Sequence, residues 1–192
     1  MEKLLEAIEK RLSLLPEGLR SHVERTRVMA RDIAETHGID PTRCDIGAAA
    51  HDLARHLAND ALLDESRSQK LKLSDIEERE PLLLHGPIAA YWLRNEMNCS
   101  DDELIAAVAY HTTGRPKMTP VEKVIFIADK IEPEKVARNT KLDIVLAKAR
   151  EDLDQAILSY LSFRIRSLLE DKKLIHPLSL ETWNAIYSES LP

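Results

Sequence analysis

The segment TPVEKVIFIADK, residues 119–130, carries both the start signals of a helix and the apolar load of a core element. Thr119 and Glu122 have the spacing of a capping box, and Pro120 falls at the first helical position, where a backbone N–H would go unpaired in any case. The run from Val124 to Ala128 is apolar on every side, so the segment reads as a buried helix to about Lys130. The same punctuation recurs on both sides of it. Ser100 and Glu103 form a second capping box and predict a helix from about Asp101 to His111, and Pro87 opens another that reaches about Met97. Upstream, the apolar spacing predicts helices over about Glu2–Leu14, Leu19–His37 and Ile46–His56, with Gly38 stopping the second and Asp40-Pro41-Thr42 forming a turn and cap before the third. Asn59 caps a short helix through Leu63, and residues 64–80 are polar and charged, a surface stretch without an assigned element. Downstream, a loop around Pro133 and Asn139 leads into a long amphipathic stretch, about Leu142 to Asp171, and a final helix runs from Ser179 to about Tyr187.

Composition agrees with an all-α fold. Among 192 residues there are only five glycines and eight aromatics, and the β-branched alternation of a sheet protein is almost absent. With 44% hydrophobic residues the length suits one domain, 1–192, whose motifs occupy about 19–135 and whose C-terminal helices, about 142–190, pack on that core. Cys44 and Cys99 are far apart and form no CxxC pair, which excludes a thiolate zinc site and a disulfide framework and points to a reducing cytoplasm. The amphipathic N-terminus, MEKLLEAIEKRLSLL, and the lack of any long apolar run argue against secretion and membrane spanning. Pairing of two copies through apolar faces of the late helix is left open, since packing within one chain explains those faces equally well.

The net charge of −6 gives no general attraction to nucleic acid. From Arg115 to Lys141, however, seven bases stand against four acids. A locally basic segment in an acidic protein suits a small anionic ligand better than a long polyanion, solvated surface lysines being the plainer explanation.

Six ionisable residues recur at helix ends or inside apolar surroundings: His22, His51, Asp52, His85, His111 and Asp129. AAAHDLAR, residues 48–55, puts His51 and Asp52 in an otherwise apolar helix, where both are costly unless paired or metal-bound. Neighbours on a helix diverge by about 100 degrees, so the two can border one cavity, as two ligands of one metal or as an aspartate bridging two. Asp129 ends a strongly apolar run and needs a partner, by default a structural salt bridge. Four imidazoles and two carboxylates without a thiolate make a nitrogen and oxygen site for one or two ions of iron, manganese, cobalt or zinc rather than magnesium. His37 reads as a helix-end residue and His56 as solvated, while Trp92, Trp183, Phe126 and Phe163 read as packing.

The order H, then HD, then D on helices resembles that of the HD-domain metal-dependent phosphohydrolases. HDLAR at 51–55, LHGPIAAY at 84–91 and HTTGRPKMTPVEKVIFIADKIEP at 111–133 are similar to the YqeK-type subfamily, over roughly residues 19–190. That resemblance implies a helical bundle with its metal site between helices, and hydrolysis of diadenosine tetraphosphate to two ADP by attack of metal-bound water. It implies that His22, His51, Asp52 and Asp129 hold an iron-type metal, that His85 and His111 hold a second metal or contact phosphate, and that Asp52, His85 and His111 are catalytic. It also implies a nucleotide lining of Asp52, Leu53, Ala54, Arg55, His85, His111, Thr112, Asp129 and Lys135, with Lys172, Lys173 and His176 closing the pocket. Bases among Arg55, Arg115, Lys117, Lys135 and Arg138 would offset the polyphosphate charge. Arg55 stands where such proteins often have Lys, while Leu19 and Lys135 stand at usual Arg positions. The competing readings are another nucleotidase or phosphodiesterase of the same superfamily, and a non-catalytic nucleotide-binding protein.

Overall fold

The computed structural model describes residues 1–191, and among them there are helices and turns but no strand. In chain order the helices are α1 (Glu2–Leu12), α2 (Glu17–Thr36), α3 (Pro41–Ala50), α4 (Asn59–Ser68), α5 (Asp75–Arg79), α6 (His85–Asn95), α7 (Asp102–Tyr110), α8 (Pro120–Ile131), α9 (Pro133–Arg138), α10 (Asp143–Glu151), α11 (Leu153–Glu170) and α12 (Pro177–Glu189). Short 3-10 turns at Pro81–Leu84 and Thr140–Leu142 precede α6 and α10.

The helix α8 is the axis of the molecule. Its capping box forms as the sequence predicts: the Glu122 carboxylate accepts from the Thr119 N–H at 2.7 Å, and the Thr119 hydroxyl accepts from the Glu122 N–H at 3.4 Å. Every residue from Val124 to Ile131 is buried, because α2, α3, α7 and α11 pack around it. Phe126 is fully buried and meets Tyr160 of α11 edge to face at 5.7 Å, so α11 is fixed against α8. The short side chains of α3 let it press into this core: a Cβ on Gly47 would collide with the Ile125 side chain of α8.

Several boundaries differ from expectation, each for a local reason. Helix α3 begins at Pro41 rather than Ile46, because the Asp40 carboxylate accepts from the Thr42 and Arg43 N–H groups and the cap opens the helix directly. It also stops at Ala50 instead of His56. From there the chain winds in tighter turns, Leu53 N–H to Ala50 O and Arg55 N–H to Asp52 O, which put His51 and Asp52 at a helix end. The cap of α7 is Asp101 instead of Ser100, accepting from Glu103 and Leu104 N–H. Helix α6 starts at His85, two residues before Pro87, which is tolerated in the first turn where N–H groups have no intrahelical acceptor.

The stretch predicted as one helix over 142–171 is α10 and α11, broken at Asp152, whose extended backbone and carboxylate cap α11 through Asp154 and Gln155 N–H. The expected loop at Pro133 contains α9, capped by Glu132, and the unassigned 64–80 stretch contains the end of α4 and all of α5, opened by a Ser74–Glu77 capping box. The last helix starts at Pro177, capped through the His176 ring. No helix among the described residues is long and apolar enough to cross a membrane.

Candidate metal centre and its cleft

Five helix segments deliver six side chains to one point. His22 comes from the second turn of α2, His51 and Asp52 from the end of α3, His85 from the start of α6, His111 from the end of α7, and Asp129 from the last turn of α8. Close approach of α6 to α7 depends on Gly86, since a Cβ there would lie 2.8 Å from the Ala109 carbonyl and 3.2 Å from the His111 ring.

The imidazoles are oriented by their second nitrogens. His51 Nδ1 lies 2.6 Å from the Ala48 carbonyl and His111 Nδ1 2.8 Å from that of Val108, while His85 Nδ1 meets that of Leu82. A carbonyl only accepts, so each Nδ1 donates and each ring turns its Nε2 inward, where a metal ion would take its lone pair. The inward nitrogens crowd together: His22 and His51 Nε2 are 3.4 Å apart, and His85 and His111 Nε2 2.9 Å apart.

Asp52 lies between the two pairs. Its Oδ2 is 3.5 Å from His22 Nε2 and 3.4 Å from His51 Nε2, while its Oδ1 is 3.1 Å from His85 Nε2 and 3.5 Å from His111 Nε2. Asp129 Oδ1 completes the first group, 3.1 Å from His22 Nε2 and 3.6 Å from His51 Nε2. Both Asp52 oxygens are fully buried and neither accepts a hydrogen bond. A buried carboxylate left in that state is costly unless a cation satisfies it. The spacing fits one: donors about 2.0–2.2 Å from a single ion lie about 3.0–3.5 Å from one another.

Electrostatics point the same way. Burial works to raise the Asp52 carboxyl, but His51, His111 and His85 outweigh it and hold it well below the usual carboxylate range. Asp129 is likewise pulled down against its burial, by Lys130 and Lys135 and then by His22 and His51. Burial works to lower His51, yet Asp52 and Asp129 raise it to about 9, so the carboxylates hold a proton there when nothing else supplies positive charge. His111 is driven by burial, with His85 and His51 adding to the effect, down to about 3, so its ring is neutral.

Above the centre a cleft of about 720 Å³ opens, with His85 and Asp129 in its floor. Its cations are Arg55, Lys130, Lys135, Arg138, Arg164 and Lys173, against the carboxylates Glu80 and Asp129. Lys130 Nζ donates to Asp129 Oδ2 at 2.5 Å, and Lys135 Nζ to Asp129 Oδ1 and to the Asp129 carbonyl, both at 2.6 Å. Arg55 Nε is 3.6 Å from Asp52 Oδ2 at the rim. Tyr160, Phe163 and Leu174 supply apolar wall.

The structure separates the nucleotide-lining expectations. Arg55, His85, Thr112, Asp129, Lys135, Lys173 and His176 face the cleft. Asp52 and His111 are buried in the centre off the lining, Leu53 and Ala54 are buried in the core, and Lys172 is exposed off the lining. Of the expected counter-charges, Arg115 is turned away to pair with buried Glu122 at 2.7 Å, and Lys117 is exposed elsewhere. His37 bonds the Ala149 carbonyl at 2.7 Å and His56 is exposed, both away from the centre. Phe163, read as packing, packs on the core and also lines the cleft. Tyr160, Arg164 and Ser167 were missed, although their spacing marks one face of α11; nothing in the sequence says that this face lies over the centre.

Comparison with known proteins gives three findings. The HD domain family profile matches residues 19–134. A Halalkalibacterium halodurans protein named bis(5'-nucleosyl)-tetraphosphatase, symmetrical, is 36% identical over 83% of this chain and 84% of its own length, and its Bacillus subtilis namesake is 31% identical over 84% and 85%. A crystal structure from Clostridium acetobutylicum, described as a predicted HD superfamily hydrolase involved in NAD metabolism, superposes with a TM-score of 0.90 at 27% identity, covering 96% of this chain and 97% of that one.

Proposed function

The chain belongs to the HD-domain family, and from its relatives and its site we propose that it is a metal-dependent phosphohydrolase that cleaves diadenosine tetraphosphate symmetrically to two ADP. The observation that carries the reading is Asp52: buried, ionised and with neither oxygen hydrogen-bonded, between two pairs of imidazole nitrogens and beneath a cationic cleft.

His22, His51, Asp52 and Asp129 would hold the metal, and this neutral-nitrogen and carboxylate set suits iron, with manganese, cobalt or zinc as substitutes. Such a cation, when bound, polarises phosphoryl oxygens and lowers the pKa of water beside it. The protein's own side chains supply the rest. His111, held neutral, presents a lone pair with His85, which favours a second cation over direct neutralisation of phosphate charge. Arg55, Lys130, Lys135, Arg138, Arg164 and Lys173 meet the charge of a polyphosphate instead. The cleft has the size of a pocket for one nucleotide half. With one ADP half held there, the central anhydride would lie toward the centre, where His85 and Asp129 reach the cleft. Water adds to the phosphorus on one side of the bridging oxygen, the bond on that side breaks, and the second ADP leaves with that oxygen. We assign this work to the whole chain as one domain, since residues on both sides of Asn139 line the cleft.

The test is chromatography after turnover of diadenosine tetraphosphate by metal-loaded protein, alongside AMP, ATP and a cyclic nucleotide. ADP as the sole product of the dinucleotide supports the reading. Equal AMP and ATP, or preferential turnover of another substrate, overturns it.

A further inference from the structure

His22 differs from the other three imidazoles. Each of those sits at a helix end and ties its Nδ1 to the carbonyl three residues back, whereas His22 lies inside α2, where carbonyls are already engaged in the helix. Its Nδ1 faces a side chain instead, Glu132 Oε1 at 3.4 Å, an oxygen that Arg25 Nη2 also reaches at a longer 3.5 Å. Glu132 is buried and its other oxygen is occupied twice: Oε2 accepts from Arg25 Nε at 2.6 Å and from the Glu134 N–H at 3.0 Å, the cap of α9.

We propose that Glu132 is a positioning residue for the metal centre, whose Oε1 holds the proton of His22 on Nδ1 and so keeps the Nε2 lone pair aimed at Asp129 and Asp52. Nothing in the sequence marks this role, because Glu132 is 110 positions from His22 and reads as an ordinary helix cap. The proposal rests on the metal-centre reading above.

Two fixed donors claim Oε2, and this makes the substitution Glu132→Gln informative. An amide has only one accepting oxygen. Arg25 Nε–H and the Glu134 N–H hold that oxygen, which turns the amide NH2 toward His22 Nδ1. The ring must then accept there and carry its proton on Nε2, the tautomer that cannot ligate. Glu132→Ala leaves His22 free to choose its tautomer, and Arg25 keeps Glu134 as a partner at 3.1 Å, so no buried charge is stranded.

The experiment is Zn2+ affinity by competition with a chromophoric chelator, on metal-depleted wild type and both variants, with thermal melting in parallel. Glu132→Ala is expected to weaken Zn2+ binding about 10- to 100-fold, and Glu132→Gln at least as much, although the isosteric variant melts closer to wild type. Gln retaining wild-type affinity, or affinity loss that merely follows loss of stability, overturns the role of Glu132. Wild-type protein that fails to bind Zn2+ overturns the metal centre itself, so the two failures are distinguishable.

Discussion

The Nε2 atoms of His85 and His111 lie 2.9 Å apart, with both rings having committed their Nδ1 protons to backbone carbonyls. Two lone pairs at that distance repel unless a positive charge joins them, and Asp52 Oδ1 lies beside both. This pair with Asp52 thus offers donors to a cation, as His22, His51 and Asp129 do on the other side.

Replacing Asp52 removes the group shared by both halves. Asp52→Ala is expected to lose retained metal and turnover together while helicity is largely kept, because the surrounding apolar core does not use the carboxylate for packing. Elemental analysis and far-ultraviolet circular dichroism read the two properties separately, and retained metal with retained turnover would remove Asp52 from the centre.

The pH dependence has a definite sign. His51 is raised from 6.5 to about 9 by its carboxylates acting against burial, so its contribution to the stability of metal-free protein is full below about 6.5 and lost as pH rises through about 9. His111 is lowered to about 3 by burial, so its contribution is full above about 6.5 and lost as pH falls toward 3. Metal-free protein should therefore melt highest near pH 6.5. Metal must displace the His51 proton, so its apparent affinity should rise about tenfold per pH unit up to about 9. Calorimetry in buffers of different ionisation heat should detect about one proton released per ion at neutral pH; an affinity flat with pH contradicts this.

Gly86 sets the spacing of the second pair. In Gly86→Ala the new Cβ meets the Ala109 carbonyl at 2.8 Å, a backbone atom that cannot swing away. We expect a stability loss of about 1–3 kcal/mol, typical of overpacking, together with weaker metal binding as α6 is pushed from α7. Denaturant unfolding of the metal-free protein checks the first, and wild-type stability would show that the helices have room to part.

Arg164 projects from α11 into the cleft, with no acidic partner among the described residues. Arg164→Ala should raise KM for a nucleotide substrate about tenfold, the worth of one charge-assisted contact, and leave metal content unchanged. An unaltered KM would place the phosphates elsewhere in the cleft.

The all-α class and most helices were legible because their signals are local: capping boxes, proline at the first turn, apolar spacing. Asp152 was not, since a carboxylate inside an amphipathic stretch looks like a surface residue until its backbone turns extended. The six candidate ligands stood out because each is an ionisable group in apolar company. Tyr160, Arg164 and Glu132 did not, because their importance comes from the packing of α11 and α9 around α8, a relation between distant segments that no local pattern records.

The central claim, water-driven symmetric cleavage at this centre, is tested most directly by turnover of diadenosine tetraphosphate in water enriched with heavy oxygen, followed by mass spectrometry of the products. Attack of water on one side of the central bridge gives ADP alone, with one of every two molecules carrying a single heavy oxygen on its terminal phosphate. Label in AMP or ATP, or ADP formed without label, would contradict it.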